Sequence, residues 1–294
     1  MKIETFETLQ AVIATGSMAG AAQQQHLSPG AVSMQIKQLE AFMGSPLFDR
    51  SGACVEAKPL AHEVSAMAQR FLQQLDDMRQ RSSTVVQGVV KLGVLDSLMP
   101  LLLPPCLAHV KQRYPQLVLQ VVHGRSKFLQ QQVRAGDVDL AVLAQPGVDA
   151  ATRGLDWQTV METPFMLLAP ADSPDTVEEC LQRYPLIAYD RHTTSGAMAA
   201  ECVAQILADL PVAMEFDNVS AIVSMVSLGL GVAVLQIADP RLLKMHPVRM
   251  LSLPAPAPVM HYAMLSRQDM AQHRRVLAVR EALLHAAAQV AASG

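Results

Sequence analysis

The sequence predicts an α/β protein in which an N-terminal winged helix-turn-helix and a long linker helix precede two α/β lobes. Three observations predict this fold class. Residues 1–58 contain three short helical segments with a tight turn between the second and the third. Residues 59–87 repeat apolar side chains every three or four positions and contain no glycine. From residue 88 onward, β-like and helix-like segments alternate, which indicates a parallel sheet covered by helices.

Composition narrows the classes of function. The 294 residues carry a formal net charge of −3, so any contact with nucleic acid has to be local. Four cysteines lie far apart and nine histidines lack the spacing of metal ligands, so neither a metal nor a cofactor is expected. A redox switch between Cys180 and Cys202 is an open alternative to inert thiols. The first residues do not resemble a signal peptide, and no apolar run reaches the ~18 residues of a membrane span, so a cytoplasmic location is expected.

The first two helices are predicted from periodicity and from the residues at their ends. Apolar residues recur at three- and four-residue spacings, which predicts an amphipathic helix over residues 3–14. Gly16 supplies the stop of this helix, and Ser17 supplies the N-cap oxygen of a second helix over residues 18–25.

The third helix begins at Ser28, the predicted N-cap, with Pro29 in the first helical position. Its inward stripe consists of Val32, Ile36, Leu39 and Met43. The side chains off this stripe, which face solvent or a partner, are Ser33, Met34, Lys37 and Gln38. Gly44 ends the helix, and an extended stretch from Arg50 to Lys58 completes the winged helix-turn-helix.

These residues resemble the amino-terminal signature of LysR-type transcriptional regulators. The matching phrases are Gly16-Ser17, Ala21-Ala22, Leu27-Ser28-Pro29, Val32-Ser33, Gln35-Ile36, Leu39-Glu40, Gly44 and Pro46-Leu47-Phe48-x-Arg50. The resemblance implies that the third helix enters the major groove of double-stranded DNA while the wing and the helix ends contact phosphates. The DNA contacts that it implies are Ser17, Ser28, Pro29, Ser33, Met34, Lys37, Gln38, Arg50 and Lys58.

The match departs from the family pattern where basic residues are usual. Members carry Thr-Arg where this chain has Ala19-Gly20, and Arg where it has Met34. Because neutralised phosphates supply much of the affinity for DNA, we expect weak binding by a monomer or a shallow salt dependence. The alternative is a degenerate helix-turn-helix that is kept only for packing or dimerisation.

A linker helix with a heptad seam is predicted over residues 59–87. The seam residues, which step by four, three, four and three positions, are Val64, Ala68, Phe71, Leu75 and Met78. The polar residues around the seam favour a coiled coil between two subunits over a face buried on the protein's own core. Pairing would present two winged domains to a two-fold DNA site, and the resemblance implies a homodimer or a homotetramer.

Two α/β lobes are predicted in the rest of the chain. Lobe I comprises about residues 88–160 and 260–294, and lobe II comprises about residues 161–259. Two crossovers, near 144–162 and 236–260, would join them as a hinged clamshell with a cleft between the lobes. Strands are predicted at 89–95, 117–122, 138–143, 165–169, 186–189, 212–216 and 260–265. Helices are predicted at 97–114 with a break at Pro104-Pro105, and at 127–135, 196–209, 219–228 and 274–288.

The lobes resemble the effector domain of LysR-type regulators, whose fold is related to that of periplasmic binding proteins. The matching phrases are Tyr114-Pro115, Gly136-Asp137-Val138-Asp139-Leu140 and the run 229–235. The proline that usually follows this run is Gln236 here. The resemblance implies a small-molecule effector bound between the lobes, and RNA polymerase as a further partner.

Candidate effector contacts lie in the loops at the carboxyl ends of the predicted strands, where open α/β sheets bind ligands. They are Asp96, Ser97, Leu98, Gly124, Arg125, Ser126, Gln145, Arg191, Thr193, Thr194, Ser195 and Asn218. The two arginines and the hydroxyls at a helix start would suit a carboxylate or another anion, although acidic residues in the same loops would repel one. The alternative is that Ser97 and Ser195 are N-caps and that both arginines are solvated.

An enzyme is not expected from this sequence. His192 lies near Asp190, Thr194 and Ser195, but the Gly-x-Ser-x-Gly elbow of a hydrolase is missing. The sequence therefore predicts a ligand-responsive, DNA-binding transcriptional regulator. The alternative is a small-molecule-binding protein with a degenerate DNA-binding domain. Neither the effector, the operator nor the choice between activation and repression follows from the sequence.

Overall fold

The structure, a computed structural model, describes residues 2–49, 55–80, 85–145, 153–173, 176–208 and 210–293, with the backbone alone at 70, 73–74, 76–80 and 293. The chain divides into two compact units, residues 1–83 and residues 84–294. In the ranges given above, no helix combines the length and the apolar character that crossing a bilayer requires.

In the part of the first unit that the structure describes, there are four helices and a two-stranded antiparallel wing. Its elements are α1 (Glu4–Thr15), α2 (Met18–Gln24), α3 (Pro29–Met43), β1 (Phe48–Asp49), β2 (Glu56–Ala57) and α4 (Pro59–Gln80). Gly16 and Gly44 end α1 and α3 in the left-handed conformation, at φ 64° and 66°, which glycine adopts without steric cost. The predicted ends of the helix-turn-helix are thereby confirmed.

The core of the first unit is built from the inward stripe of α3. Val32, Ile36 and Leu39 are fully buried and pack with Leu9 and Val12 of α1, as the three- and four-residue spacings predict. Burial of each such side chain contributes about 1.5–3 kcal/mol to folding. Met43, the last residue of the predicted stripe, is only partly buried at the edge of this core.

Helix α4 is the predicted linker helix, but its seam is shared between two environments. Val64 packs into the core of the first unit and Ala68 is also buried. At these positions the alternative, a helix face buried on the protein's own core, is correct. Phe71 is exposed, together with Met67 on the preceding turn. The prediction of one continuous dimer seam is therefore wrong for its first residues. The side chain of Met78 and residues 81–84 lie outside the described part of the chain.

The second unit carries strands and helices in alternation. Its strands are β3 (Gln87–Leu95), β4 (Gln116–Gly124), β5 (Leu140–Ala144), β6 (Leu155–Ala169), β7 (Leu186–Tyr189), β8 (Val212–Phe216), β9 (Ala233–Gln236), β10 (Arg249–Ser252) and β11 (Val259–Arg267). Its helices are α5 (Met99–Arg113), α6 (Ser126–Ala135), α7 (Val177–Arg183), α8 (Thr194–Ile206), α9 (Val219–Ser227), α10 (Arg241–Met245) and α11 (Arg274–Ser293).

Two sheets share the long strand β6. In lobe I the order is β4-β3-β5-β11-β6, with β3 parallel to β4 and β5 and with β11 antiparallel to β5 and β6. In lobe II the last residues of β6 pair antiparallel with β9 and β10. Strands β7 and β8 form a parallel pair, which a bridge between Leu186 and Val232 joins to the segment before β9. The sheets are mixed rather than parallel because β6 and β11 run against their neighbours.

Strand β6 corrects the predicted first crossover. Only residues 165–169 were expected to be extended, whereas β6 is one strand of 15 residues that starts at Leu155. Residues 146–152, where the crossover would begin, lie outside the described ranges. In the second crossover α10 and β10 were not predicted, nor was α7 in lobe II. The two lobes are therefore joined by extended chain that belongs to both sheets.

Helix α5 corrects the predicted break at Pro104-Pro105, because the helix runs through both prolines. Pro104 has no N–H to donate to the carbonyl of Pro100, four residues earlier. Arg241 supplies the missing donor, since its Nη2 lies 3.0 Å from that carbonyl oxygen. A side chain distant in sequence thus satisfies the acceptor that the proline leaves open.

Candidate functional site

The outward face of α3 is the first candidate surface. Met34 is 59% exposed, Lys37 and Gln38 are exposed, and Ser33 is partly buried. All four lie off the buried stripe, as the helical spacing predicts. The face therefore offers one positive charge, one amide, one hydroxyl and an apolar thioether side chain to a partner.

The hydroxyls at the starts of α2 and α3 are engaged as caps. Ser17 accepts a hydrogen bond from the N–H of Gly20 at 3.0 Å, and Ser28 accepts one from the N–H of Ala31 at 3.2 Å. Pro29 is exposed at the first position of α3. Phosphates near these ends would meet the remaining free N–H groups of the first helical turns.

The wing is tied to α3 by a carboxylate. Glu40 accepts hydrogen bonds from the N–H groups of Leu47 and Phe48 at 2.9 and 3.4 Å. The N–H of Lys58, which is partly buried, donates to the carbonyl of Leu47 at 2.9 Å. Arg50, the other predicted wing contact, lies outside the described residues.

A buried polar cluster that the sequence reasoning missed joins α1 and α3 to the end of α2. The hydroxyl of Thr8 is fully buried and lies 2.8 Å from the Oε1 atom of Gln25 and 2.6 Å from that of Gln35. One hydroxyl proton can serve only one of these oxygens, so the other glutamine has to turn its amide N–H toward Thr8. These contacts link α1 to α3 and to the residue that follows α2.

In lobe I, the loop after β3 contributes less than predicted. Asp96 Oδ1 lies 2.8 Å from Nδ1 of His123, the residue before Gly124 at the end of β4. Leu98 is fully buried in the core and offers no surface to a ligand. Ser97 is exposed, but it does not cap α5, because the residue before that helix is Leu98, without a side-chain cap. The prediction that Ser97 is an N-cap is therefore wrong.

Arg125 connects the two lobes. Its Nη1 atom lies 2.9 Å from Asp190 Oδ2, and its Nη2 atom lies 2.9 Å from Asp217 Oδ2. Arg125 precedes α6 in lobe I, whereas the aspartates follow β7 and β8 in lobe II. We call this three-residue arrangement the interlobe clasp. The sequence identified Arg125 but missed Asp217 as its partner.

The charges of the clasp are held by several donors. The N–H of His192 donates to Asp190 at 2.8 Å, and this bond, followed by the Arg125 charge, holds the pKa of Asp190 below its ordinary value. The hydrogen bond to Asp217 is the largest cause of the raised pKa of Arg125. Asp190 and Arg125 are therefore ionised at neutral pH, and Arg125 is paired with carboxylates rather than solvated alone, as the alternative held.

The start of α8 is capped by Thr193 rather than by Ser195. The Thr193 hydroxyl accepts a hydrogen bond from the N–H of Gly196 at 3.0 Å and donates to the carbonyl of Asp190 at 2.7 Å. Asn218 caps α9 in the same way, accepting from the N–H of Ala221 at 2.9 Å. Thr194 is partly buried at the first position of α8.

A second contact between the lobes is a buried trio of neutral side chains. The Nε2 atom of Gln236 lies 2.7 Å from the Ser195 hydroxyl and 3.1 Å from the Tyr262 hydroxyl. Ser195, Gln236 and Tyr262 are 7%, 4% and 1% exposed, and burial raises the pKa of Tyr262 to about 12. The Oε1 atom of Gln236 is buried without a partner. The sequence singled out Gln236 only as a departure from the usual proline.

Of the remaining predicted contacts, Ser126 and Gln145 form hydrogen bonds within lobe I, and Arg191 lies in lobe II. Ser126 accepts a hydrogen bond from the N–H of Ala144 at 3.2 Å, and the N–H of Gln145 donates to the carbonyl of His261 at 2.8 Å. Arg191 lies 3.6 Å from Glu215 of β8, so it is also paired with a carboxylate.

The hydrolase-like set that the sequence offered, His192 with Asp190 and Ser195, is not assembled in the structure. Ser195 is bound to Gln236, while His192 is exposed and Asp190 belongs to the clasp, so the three do not form a hydrolase triad. Among the residues that the structure describes, no group of three or more His, Cys, Asp or Glu side chains could hold a metal ion.

The described cysteines are buried thiols. Burial raises the pKa of Cys106 to about 12 and also raises that of Cys202, while Cys180 is fully buried. Because the thiolate is the reactive form, these environments favour inert thiols over a redox switch.

Both units match models of known protein families. The family model described as "Bacterial regulatory helix-turn-helix protein, lysR family" matches residues 3–57, and "LysR substrate binding domain" matches residues 83–288. The chain is 30% identical to a probable HTH-type transcriptional regulator, LrrA, of Synechococcus elongatus, over 80% of this chain and 81% of the relative. It is 27% identical to a probable RuBisCO transcriptional regulator of Cyanidioschyzon merolae, over 79% of this chain and 80% of the relative.

Solved structures share the fold over nearly the whole chain. A full-length OxyR variant from Pseudomonas aeruginosa superposes with a TM-score of 0.73 at 23% identity, and the alignment covers 96% of this chain and 94% of the OxyR chain. Full-length LysG from Corynebacterium glutamicum, with arginine bound as its effector, gives a TM-score of 0.65 at 18% identity, over 98% of this chain and 99% of its own.

Proposed function

The chain belongs to the LysR family of bacterial transcriptional regulators, and from this premise we propose how its two units bind DNA and respond to a small molecule. It is a ligand-responsive, DNA-binding regulator with an effector-binding domain. One observation carries the proposed response: the interlobe clasp, in which Arg125 of lobe I holds Asp190 and Asp217 of lobe II.

The outward face of α3 reads the operator. Lys37 and Gln38 contact phosphates and base edges in the major groove, Ser33 supplies a further hydrogen bond, and Met34 supplies an apolar contact. Exposure of these side chains beside a buried stripe supports the assignment. Because α3 offers a single positive charge, base and shape readout contribute a larger share of the affinity than phosphate neutralisation does.

The effector binds between the lobes and acts on the interlobe clasp. An anionic effector would compete with Asp190 and Asp217 for the Arg125 guanidinium and would release lobe II from lobe I. A ligand can shift the lobes only by the difference between its affinities for the two states. The clasp gives that difference a physical origin, because its two ion pairs exist only when the lobes are close.

Exposed apolar side chains support assembly of a homodimer or a homotetramer. Val118 and Val121 are exposed on β4, the edge strand of the lobe I sheet, and Val212 and Phe216 are exposed on β8, which pairs only with β7 among the described strands. Uncovered edge strands with apolar side chains tend to pair with another chain. A two-fold assembly would also present two α3 helices to a two-fold operator. We further propose contact with RNA polymerase, and action in the cytoplasm where the operator is.

The DNA-binding assignment is tested on the full chain by fluorescence anisotropy. An operator selected from a random DNA library is titrated with the wild type, with Lys37→Ala and with Lys244→Ala, which removes an exposed lysine from α10 in the second unit. We expect Lys37→Ala to weaken binding and to reduce the salt slope by about one, while Lys244→Ala leaves both unchanged. Equal affinities for operator and random DNA in the wild type would support the degenerate winged domain instead.

A further inference from the structure

The interlobe clasp contains two carboxylates but a single cation. Asp190 and Asp217 of lobe II pair with different nitrogen atoms of the Arg125 guanidinium, at 2.9 Å each. In the proposed response, an anionic group of the effector takes Arg125 from these aspartates, which then lack a cation. We propose that the effector is a free α-amino acid, whose carboxylate binds Arg125 and whose ammonium group binds Asp190. This inference names the effector class and rests on the proposed function.

The two aspartates differ in how well they tolerate the loss of Arg125. Asp217 is 64% exposed, so water can solvate its carboxylate after Arg125 is taken. Asp190 is only 14% exposed, and it is held by Arg125 and by the N–H of His192. A carboxylate that is withheld from water and loses its cation is destabilised, because no partner offsets its desolvation. The effector therefore has to bring a positive charge to Asp190.

A ligand with only a negative charge would increase this cost. Its carboxylate would lie on Arg125, beside Asp190, and the two negative charges would repel each other. Burial is the largest cause of the raised pKa of Tyr189, but the charges of three carboxylates also raise it. They belong to Asp217, Asp190 and Asp96, so all three lie near one point of the cleft. An anion without a cation of its own is therefore disfavoured there.

An α-amino acid can replace the direct ion pair of the clasp by a bridged one. Its ammonium nitrogen lies about 2.5 Å from its carboxylate carbon, as two bonds of about 1.5 Å dictate. The carboxylate can form a bidentate pair with Arg125 in lobe I while the ammonium group pairs with Asp190 in lobe II. The lobes then separate by the width of the ligand. Arg125 and Asp190 lie outside the edge strands β4 and β8, so the ligand and the proposed assembly use different residues.

A buried acceptor at the boundary between the lobes also lacks a donor. The amide of Gln236 contacts Ser195 of lobe II and Tyr262 of lobe I, and its Oε1 atom has no hydrogen-bond partner. The start of α8, which carries Ser195, is attached to the other site residue, since the Thr193 hydroxyl donates to the carbonyl of Asp190 at 2.7 Å. An ammonium group offers three donors, enough for the Asp190 carboxylate and for this oxygen, whereas an ionised carboxylic acid offers none.

The proposal is tested on the full chain, without DNA, by isothermal titration calorimetry with each of the twenty protein amino acids. The amino acid that binds most tightly is then compared with its deaminated carboxylic acid and with its decarboxylated amine. We expect each of these two analogues to bind about tenfold more weakly, because each lacks one of the two ion pairs.

Three variants assign the two charges of the ligand. Arg125→Gln should weaken binding of the amino acid and of the deaminated acid about tenfold. Asp190→Asn keeps an oxygen that can accept from the N–H of His192, but it should weaken the amino acid about tenfold and strengthen the deaminated acid. The matched control is Asp217→Asn, which removes the exposed aspartate of the clasp. It should raise the affinity for the amino acid about twofold, because Arg125 loses a competitor.

Each contrary outcome has a defined meaning. Equal affinities for the amino acid and the deaminated acid, or an unchanged affinity for the amino acid in Asp190→Asn, would overturn the amino acid assignment. If the deaminated acid then still required Arg125, the proposed function would stand with a purely anionic effector. Binding that neither Arg125→Gln nor Asp190→Asn alters would place the ligand outside the clasp and overturn the proposal. So would the absence of binding by all twenty amino acids at about 10 mM, a result that leaves the ligand-free effect of Arg125→Gln on lobe distances untouched.

Discussion

Replacement of Arg125 by glutamine should loosen the two lobes of the effector domain. The substitution keeps a polar side chain of similar length but removes both ion pairs of the interlobe clasp at once. It also leaves Asp190 and Asp217 as two like charges at the same edge of the cleft. Both effects shift the domain from closed toward open conformations.

The size of the shift follows from the exposure of the three side chains. Arg125 is 53% exposed, Asp190 is 14% exposed and Asp217 is 64% exposed. Exposed ion pairs contribute about 0.2–1 kcal/mol, so the pair with Asp190 belongs to the upper part of this range and the pair with Asp217 to the lower part. A total of about 1 kcal/mol corresponds to a roughly fivefold change in the ratio of closed to open molecules.

The assay is a distance measurement between spin labels on the two lobes. Gln131→Cys on α6 and Glu201→Cys on α8 place labels at exposed positions of lobe I and lobe II, in a background in which Cys54 is replaced by serine. The thiols of Cys106, Cys180 and Cys202 are buried and should not be labelled. Arg125→Gln should increase the fraction of long distances about fivefold relative to the short ones.

The control and the salt series separate the clasp from a general charge effect. Arg183→Gln removes an exposed arginine that stacks on Tyr184 within lobe II, so it should not change the distances. Raising the ionic strength from 0.05 to 0.5 M should open the wild type, because exposed charges are screened, and should have little effect on Arg125→Gln. Identical distance distributions for wild type and Arg125→Gln at low salt would refute the reasoning.

Three further predictions concern DNA affinity and stability. Met34→Arg should raise DNA affinity and steepen the salt slope by about one in anisotropy titrations, whereas Met245→Arg, at an exposed site in the second unit, should do neither; no gain from Met34→Arg would exclude this face from the DNA contact. Tyr262→Phe should lower the free energy of unfolding by about 1 kcal/mol, because it removes the hydrogen bond that the Gln236 amide donates to the Tyr262 hydroxyl. Urea unfolding monitored by the fluorescence of Trp157, the single tryptophan, measures this change, and Tyr184→Phe is the control that should be neutral. Because burial raises the pKa of Tyr262 from 10.0 to about 12, the unfolded chain ionises first and stability should fall as the pH rises through this interval; a fall just as steep in Tyr262→Phe would contradict the assignment.

The helix-turn-helix could be predicted from the sequence because local rules determine it. Left-handed glycines and cap hydroxyls act within one helical turn, so Gly16, Ser28 and Gly44 mark helix ends without knowledge of the tertiary fold. The buried Thr8 cluster escaped prediction because its three members are distant in sequence and each is an ordinary surface residue type.

The errors in the second unit have a common physical origin in long-range contacts. Strand β6 begins at Leu155, ten residues before the predicted strand, because β11 pairs with this first part of it. The polar residues in this part give no clear strand pattern in the sequence. Helix α5 tolerates Pro104 because Arg241, from another lobe, reaches the open carbonyl. Neither partner can be identified from the local sequence.

The proximity of the loops that carry the candidate effector contacts could be predicted from the sequence, but the partners of those residues could not, and their role in binding an effector stays a prediction. The loops at the carboxyl ends of the strands do meet, as the rule for open α/β sheets indicates. The two arginines, however, are paired with carboxylates rather than free, and Asp217 was not considered. Gln236 stood out only because a proline is usual there, and its bonds to Ser195 and Tyr262 depend on three separate segments.

The most direct test of the account measures whether the clasp controls the geometry of bound DNA. An operator selected from a random library, labelled at both ends for energy transfer, is bound by the full-length wild type, by Arg125→Gln and by Arg183→Gln, and each complex is also footprinted. The account predicts that Arg125→Gln alone changes the DNA bend and the footprint, while the salt slope of binding, set by the first unit, stays the same in all three. The same bend and the same footprint for all three proteins would contradict the claim that lobe closure regulates this protein on DNA.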